Sequence, residues 1–467
     1  MRIPKQKLTV WFAGLFFLLE LEHLLNFPFL QPWQFWIQMA EVLCAGAVLA
    51  AGEWRKRGWC TLLILGTVWL FLTSVFRGAA VMEKSQYFMQ RALLCLILLP
   101  FAGLGLKENE IRSWLRILLT VWVLFHAVLS VVGLVAAFQG RQILDGSRTL
   151  EIFLREDDHR LKLMAYSTVT ASNLTTAMGF CLILTAMTGK KGLRVLYLLI
   201  MIPMLICLAL TVGRTGYVCA GLTLGAYLAL MLEDPLRTRL KKSLRWAQAG
   251  IAVAAVVLVI LAMNGAVAGF NAIQREKPLL VSQAQAEAAE EAETVLVGQR
   301  SMTDMESMQG RSFVWRASLD VLRNKPYLLL VGTSVPQVME HVQPYADAYS
   351  VETYDHVHCM YLQILMETGI PGLLLCLCFV YLFARACLIL WRKSGFSWQK
   401  AVPLPALAIF LGECLDSMTR LDKGLQTMPV LMLTAGLTLI LAENETGGAL
   451  WRGFSFRRFC TKISRKT

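Results

Sequence analysis

Residues 354–380 read YDHVHCMYLQILMETGIPGLLLCLCFV, a polar start with one aspartate and two histidines that turns within a few positions into an unbroken apolar run. The whole 467-residue chain has only six histidines, so two of them at the lip of such a run need a reason. The run is long enough to cross a bilayer core, which takes about 20 residues of helix. It has company. The chain is 56% hydrophobic and 16% charged, with a mean hydropathy of +0.55, whereas soluble domains carry about 25% charged residues. This composition predicts an all-α polytopic membrane protein.

Apolar runs of spanning length can be read at 8–27, 33–51, 59–76, 87–105, 114–138, 172–188, 193–211, 213–231, 248–269, 359–391, 401–418 and 426–442, about twelve in all. The first is read as a span and not as a cleavable signal, because its core runs into LELEHLLNF without a small-residue cleavage site. Lys and Arg collect in alternate connections: MRIPKQK, EWRKRGW, LKENEIRSWLR, GKKGLR, EDPLRTRLKKSLR, WRKSGFSWQK and the tail RRFCTKISRKT. The other connections hold isolated charges such as Arg77, Lys84, Arg214, Arg420 and Lys423. The positive-inside rule then places both termini in the cytoplasm and the chain in the cytoplasmic membrane as a multi-pass protein.

The net charge of +13 is therefore topological and does not point to nucleic acid. The twelve cysteines sit mostly inside apolar runs, form no CxxC pair and read as small buried apolar residues. No nucleotide-binding glycine loop occurs, which argues against a nucleotide-driven reaction.

The expected organisation is five membrane helices in 1–138, an outer loop at 139–171, helices six to nine in 172–269, a large extracytoplasmic loop at 270–358 between the ninth and tenth, helices ten to twelve in 359–443, and a basic cytoplasmic tail at 444–467. Loops this long are uncommon unless functional or disordered. The second contains SQAQAEAAEEAETV, whose alanine and glutamate content favours a solvated helix.

Charges near a bilayer are expensive, which makes the exceptions informative. Arg214 sits in a turn of a few residues between two spans, where its planar fork of donors could meet a phosphate or simply snorkel to the headgroups. The stretch GRSFVWRASLDVLRNKPYLLLVG puts Arg311, Arg316, Arg323 and Lys325 on an amphipathic helix with Phe313, Trp315, Leu319 and Leu322, suited to an interface bearing anionic groups. Asp355, His356 and His358 follow at the start of the tenth span, whose first turns end at Glu367 and GIPG. Histidine can take or give a proton near neutrality. A metal held with His341 or Asp347 ranks lower, since the loops offer no convincing third and fourth ligand. Glu156, Asp157 and Asp158 in the first long loop could act as base or ligand or be merely solvated, and Asn173 reads as a helix cap.

In chain order these pieces resemble the O-antigen ligase and O-antigen polymerase superfamily of bacterial membrane glycosyltransferases. The resemblance rests on LTVGRTGY, on GRSFVWRASLDVLRNKPYLLLVG, on YSTVTASNLTTA and above all on HCMYLQILMETGIPG, with His358 spaced from Gly369 and Gly372 as in the family. It covers roughly residues 160–443. Cys359 stands where the family has Asn, Ser or Gln, and Gly213 where it has Ser.

The resemblance implies transfer of a glycan from an undecaprenyl diphosphate carrier to an acceptor hydroxyl, on a glycan or a lipid, at the outer face of the membrane. Arg214 and Arg311 would hold the diphosphate, with Arg316 or Arg323 assisting. His358 would position or deprotonate the hydroxyl or stabilise the departing phosphate. His356, Asp355 and Glu367 would face substrate. It implies no cofactor and no protein-held metal, and membrane lipids as the surroundings. A transporter or flippase of the same lipid-linked glycan and a non-catalytic scaffold are the competing classes. A transporter predicts polar and charged residues scattered through mid-span positions and internal repeats, whereas here the spans are largely clean and the polar groups concentrate at one outer face.

Overall fold

The computed structural model describes residues 33–78, 80–82, 89, 92–139, 152–154, 160–163, 167–240, 243–276, 297, 304–347, 356–393, 395–412 and 427–447, with short pieces at 10–11 and 14–15. The helices are α1 (Gln34–Ala51), α2 (Gly58–Val75), α3 (Glu108–Gln139), α4 (Ser167–Met187), α5 (Lys191–Leu210), α6 (Arg214–Met231), α7 (Glu233–Leu240), α8 (Leu244–Glu276), α9 (Asp304–Asn324), α10 (Leu328–Val331), α11 (Val338–Ala346), α12 (Met360–Trp391), α13 (Trp398–Ala401), α14 (Leu404–Gly412) and α15 (Thr427–Thr446). Six of them, α2, α3, α4, α5, α8 and α12, are long and apolar enough among the described residues to cross a membrane. The architecture is that of an all-α polytopic membrane protein.

Helices α1, α6 and α15 occupy three more of the expected runs. Two runs differ from expectation. Over 87–105 the described chain is a π-helical segment, Leu94–Leu98, followed by turns to Gly105, because Pro100 has no amide to continue a helical ladder. Its backbone lies so near α15 that a Cβ on Gly436 would stand 2.4 Å from Pro100. The run at 401–418 splits at Pro403 into α13 and α14. Apart from the short pieces at 10–11 and 14–15, the expected first span lies outside the described residues, as do the alanine-glutamate stretch at 282–295 and the basic tail beyond 447.

The loop at 139–171 contains a hairpin that periodicity did not indicate. Strands β1 (Ile152–Leu154) and β2 (Leu161–Leu163) pair antiparallel with Ile152 opposite Leu163. Leu163 packs into the space left by Gly133 of α3.

Ion pairs tie together the basic connections that charge counting assigns to one side. Arg57 Nη1 meets Glu443 Oε2 at 2.5 Å, Lys393 meets Glu445 at 2.5 Å, and the fully buried Lys400 meets Glu233 at 2.6 Å. Removing one partner of such a buried pair strands the other charge, at about 3–5 kcal/mol.

On the opposite side, α9, α10 and α11 build a cap with its own small core of Val314, Ala317, Val321, Leu328, Val338, Val342, Val357 and Met366. Residues 360–368, the first part of α12, add Met366 to this cap core and Met360 to the membrane core, to which the remainder adds Phe379, Leu382 and Phe383. The two parts meet at Gly369, whose φ of 68° and ψ of −170° break the helix.

The break leaves the carbonyls of residues 366, 367 and 368 without helical donors. Pro371 has no N–H to give to Glu367, four residues earlier. The chain supplies replacements from afar: Thr333 N–H donates to Met366 O at 2.7 Å, Ser334 N–H to Glu367 O at 3.0 Å and Trp69 Nε1–H of α2 to Thr368 O at 2.7 Å. Such close approach requires glycine. A Cβ on Gly332 would lie 2.2 Å from Glu367 O, and one on Gly369 2.7 Å from Leu329 O.

Ser334 holds a φ of 70° and a ψ of 159°, a region essentially reserved for glycine, and its hydroxyl is buried without a hydrogen-bond partner. Thermal unfolding in detergent should therefore show Gly332→Ala destabilised by several degrees or failing to accumulate. Ser334→Gly should gain about 1 kcal/mol by releasing strain.

Candidate active site

The residues His356, Val357 and His358 enter α12 as an irregular segment anchored at its middle. The Val357 side chain is fully buried in the cap core. Its carbonyl accepts from Trp315 Nε1 of α9 at 2.8 Å, and its N–H donates to Gln363 Oε1 of α12 at 3.1 Å. The Gln363 amide is oriented in turn by donating from Nε2 to Glu367 Oε1 at 2.8 Å. With Val357 fixed, its two neighbours project together: the imidazole centroids of His356 and His358 are 3.9 Å apart, tilted by 41°. His358 has a left-handed φ of 56°, so the segment is held in a conformation that an unanchored histidine rarely adopts.

Arg311 lies one helical turn before Trp315 and so on the same stripe of α9, the stripe that faces the histidine segment. It is half-buried. Arg316 and Arg323 share a different, exposed face, about 120–140° around the helix. The expected apolar face is corrected accordingly: Val314, Ala317, Val321 and Leu322 are buried, whereas Leu319 is 54% exposed. Arg311 thus shares the stripe of Trp315, which contacts Val357 between the two histidines, whereas Arg316 and Arg323 lie on another face of the helix.

Arg214 is exposed at the first turn of α6. The turn before it is tight, with Val212 at a φ of 52° and the Thr211 hydroxyl accepting from Gly213 N–H at 3.3 Å. A Cβ on Gly213 would lie 2.9 Å from Ala171 Cβ, so the room a serine would need is filled by α4. Helix α6 bonds to α14 through Cys219 Sγ and Ala408 O at 3.2 Å, and α12 does so through the Tyr361 hydroxyl and Phe410 O at 3.4 Å. The helices carrying Arg214 and His358 therefore share α14 as a neighbour.

Glu367 is buried, 8% exposed, and engages Gln363. Asn173 is buried inside α4, which starts at Ser167, and so does not cap it. Asp355 and the acidic run Glu156, Asp157 and Asp158 lie outside the described residues. Among the described residues no three His, Cys, Asp or Glu side chains cluster within reach of one ion.

Trp315 as an indole donor, Gln363 and Arg77 make contacts around the candidate site that sequence reading missed. Arg77, just past α2, donates from Nη2 to the Gly332 carbonyl, and its guanidinium stands 5.7 Å from the Tyr327 ring centroid. Its one sequence signal is an isolated arginine ending an apolar run.

A cavity of about 140 Å³ lies between α2, α12 and α15. Gln363, Glu367 and Thr368 form its polar part, and Leu63, Leu375 and Phe379 are among its apolar walls.

Residues 196–377 match the family model of the O-antigen ligases. Over this stretch, about two fifths of the chain, the protein is similar to O-antigen ligases, and the stretch holds Arg214, Arg311, Trp315, His358 and the Gly369 break. No curated protein and no solved structure matches the chain. The likeness to O-antigen ligases supports a membrane glycosyltransferase-like activity.

His341 of α11 donates from Nδ1 to Gln337 O at 3.0 Å. Burial, reinforced by Lys325 and Arg77, pushes its pKa below the ordinary 6.5. A histidine held neutral in the fold takes its proton more readily when unfolded, so its contribution is present above pH 6.5 and is lost as pH falls from there through the depressed value. Thermal unfolding against pH should show a loss on acidification from pH 6.5 that is shallower in His341→Gln.

Proposed function

We propose that the protein transfers a glycan from an undecaprenyl diphosphate carrier to an acceptor hydroxyl at the extracytoplasmic face of the cytoplasmic membrane, as an O-antigen ligase or a polysaccharide polymerase. In this reading the chain has about twelve spans, both termini are cytoplasmic and the cap belongs to the extracytoplasmic loop at 270–358. The observation that carries it is the anchored Val357 segment, which sets paired imidazoles beside the Arg311 stripe of α9 at the rim of the membrane core.

The chemistry needs no external energy source, because the diphosphate is the leaving group. The acceptor oxygen bonds to the anomeric carbon as the bond from that carbon to the phosphate oxygen breaks, and undecaprenyl diphosphate departs with the electron pair. The hydroxyl proton passes to His358. Charge grows on the departing oxygens, where Arg311 and Arg214 stabilise it most in the transition state. Arg316 and Arg323, on the other face of α9, are left for anionic groups of the acceptor or the lipid surface. The cavity between α2, α12 and α15 takes the first isoprene units of the carrier.

The test is transfer by purified protein in lipid nanodiscs, supplied with an undecaprenyl diphosphate oligosaccharide and candidate acceptors. Parent protein should form product, and His358→Ala and Arg311→Ala should each lose roughly a hundredfold or more. Transfer that survives both substitutions contradicts the assignment of the residues. Movement of intact donor between leaflets without transfer would favour a flippase. Gly66 lines the cavity and a side chain there meets open space. Gly66→Leu should therefore raise KM for the undecaprenyl donor and for a farnesyl-length one alike, since both would place their first isoprene units there.

A further inference from the structure

We propose that Trp315, Gln363 and Glu367 are positioning residues for His358, acting as a relay that clamps both sides of one peptide residue; this rests on the function proposed above. Val357 lies between the two imidazoles, and each of its backbone polar groups is taken by a side chain from a different helix. Trp315 Nε1–H of α9 binds the carbonyl at 2.8 Å, and Gln363 Oε1 of α12 binds the N–H at 3.1 Å. The two bonds fix the peptide plane on either side of the Val357 Cα and so fix the direction in which His358 leaves the chain.

The role of Gln363 depends on which way its amide faces. A backbone N–H can only donate, so Gln363 must turn its oxygen toward Val357, and its NH₂ then faces away and needs an acceptor. Glu367, one helical turn further on, supplies that acceptor at 2.8 Å. A carboxylate has no donor of its own when ionised, so it holds the amide in one of its two orientations. This accounts for a buried acid beside an apolar cavity, where a carboxylate is otherwise expensive.

The clamp has something to restrain. His358 sits at a φ of 56°, and the next residue, Cys359, returns to extended backbone at a φ of −150° before α12 begins. Cys359 makes no side-chain cap to the helix, so Gln363 and Trp315 hold the entry that a polar residue at 359 would otherwise help to hold. Catalytic geometry is sensitive to this: displacement of a reacting group by about 1 Å is worth roughly a hundredfold in rate.

The experiment uses full-length protein in nanodiscs and four variants: Trp315→Phe, Gln363→Glu, Glu367→Gln and the exchange Gln363→Glu with Glu367→Gln. Phe at 315 keeps the ring packing and removes the indole donor. Glu at 363 sets two carboxylates against each other, whereas the exchange restores one acid, one amide and both hydrogen bonds with the charge moved by one turn.

The expected result is a fall in kcat of about ten- to a hundredfold for Trp315→Phe and Gln363→Glu, with little change in KM. Glu367→Gln alone should lose less than Gln363→Glu, and the exchange should recover most of the rate. Hydrogen-deuterium exchange of the peptide spanning 356–359 should follow the same order, with protection lost in Gln363→Glu and regained in the exchange. The exchange measurement stands apart from catalysis: if the parent transfers nothing, the enzyme reading fails while protection at 356–359 still decides the clamp. Full activity in Trp315→Phe and Gln363→Glu overturns the proposal. A Glu367→Gln protein that keeps its protection but is as inactive as His358→Ala also overturns it, by making Glu367 a chemical participant.

Discussion

Helix α12 cannot be continuous, and much of the candidate site follows from how its break is satisfied. Gly369 leaves helical geometry and Pro371 lacks an amide, so three successive carbonyls near the membrane boundary lose their donors. Unpaired carbonyls in that environment are costly, since no bulk water is at hand to take them. The replacements come from Thr333, Ser334 and Trp69, which are remote in sequence. One defect thus staples the cap, the broken helix and α2 together. Arg77 completes the joint by binding the Gly332 carbonyl from the end of α2.

The same break gives α12 two allegiances. Over residues 360–368, Leu362, Leu365 and Met366 pack with the cap while Met360, Tyr361 and Ile364 already face the membrane core, and Val357 of the histidine segment is fixed in the cap core. That location suits chemistry between a lipid-borne diphosphate and a water-borne hydroxyl. The two arginines proposed to hold the diphosphate are of unequal kind: Arg311 is half-buried on the stripe shared with Trp315, whereas Arg214 is exposed at the start of a helix that packs on α14. A half-buried guanidinium acts in a lower dielectric than an exposed one and contributes more to stabilising a growing charge.

The membrane class was legible because spanning a bilayer demands about 20 apolar residues, and that demand is written in composition. The run at 87–105 misled because apolarity does not distinguish a straight helix from a π-segment and turns around Pro100. On α9 the apolar pattern admitted two faces, and only packing against α11 and Val357 shows that Leu319 is not on the buried one. The spacing of His358, Gly369 and Gly372 was readable as a pattern, but its cause was not. Gly369 and Gly332 are glycines because backbone meets backbone across the joint, and Gly372 because a Cβ would strike the Thr368 side chain. Arg77, Gln363 and the indole of Trp315 went unassigned because their partners are set by tertiary contact; Arg77 and Gly332 are separated by 255 positions.

The central claim is that Arg214, Arg311 and His358 converge on one lipid-linked diphosphate whose chain enters between α2 and α12. An electron cryomicroscopy structure of the protein in nanodiscs with undecaprenyl diphosphate tests it most directly. The account predicts diphosphate density touching both arginines and His358, with the isoprenoid leading past Gln363 into the cavity that Gly66 and Phe379 line. Diphosphate bound elsewhere, or Arg214 and Arg311 facing separate cavities, would contradict it.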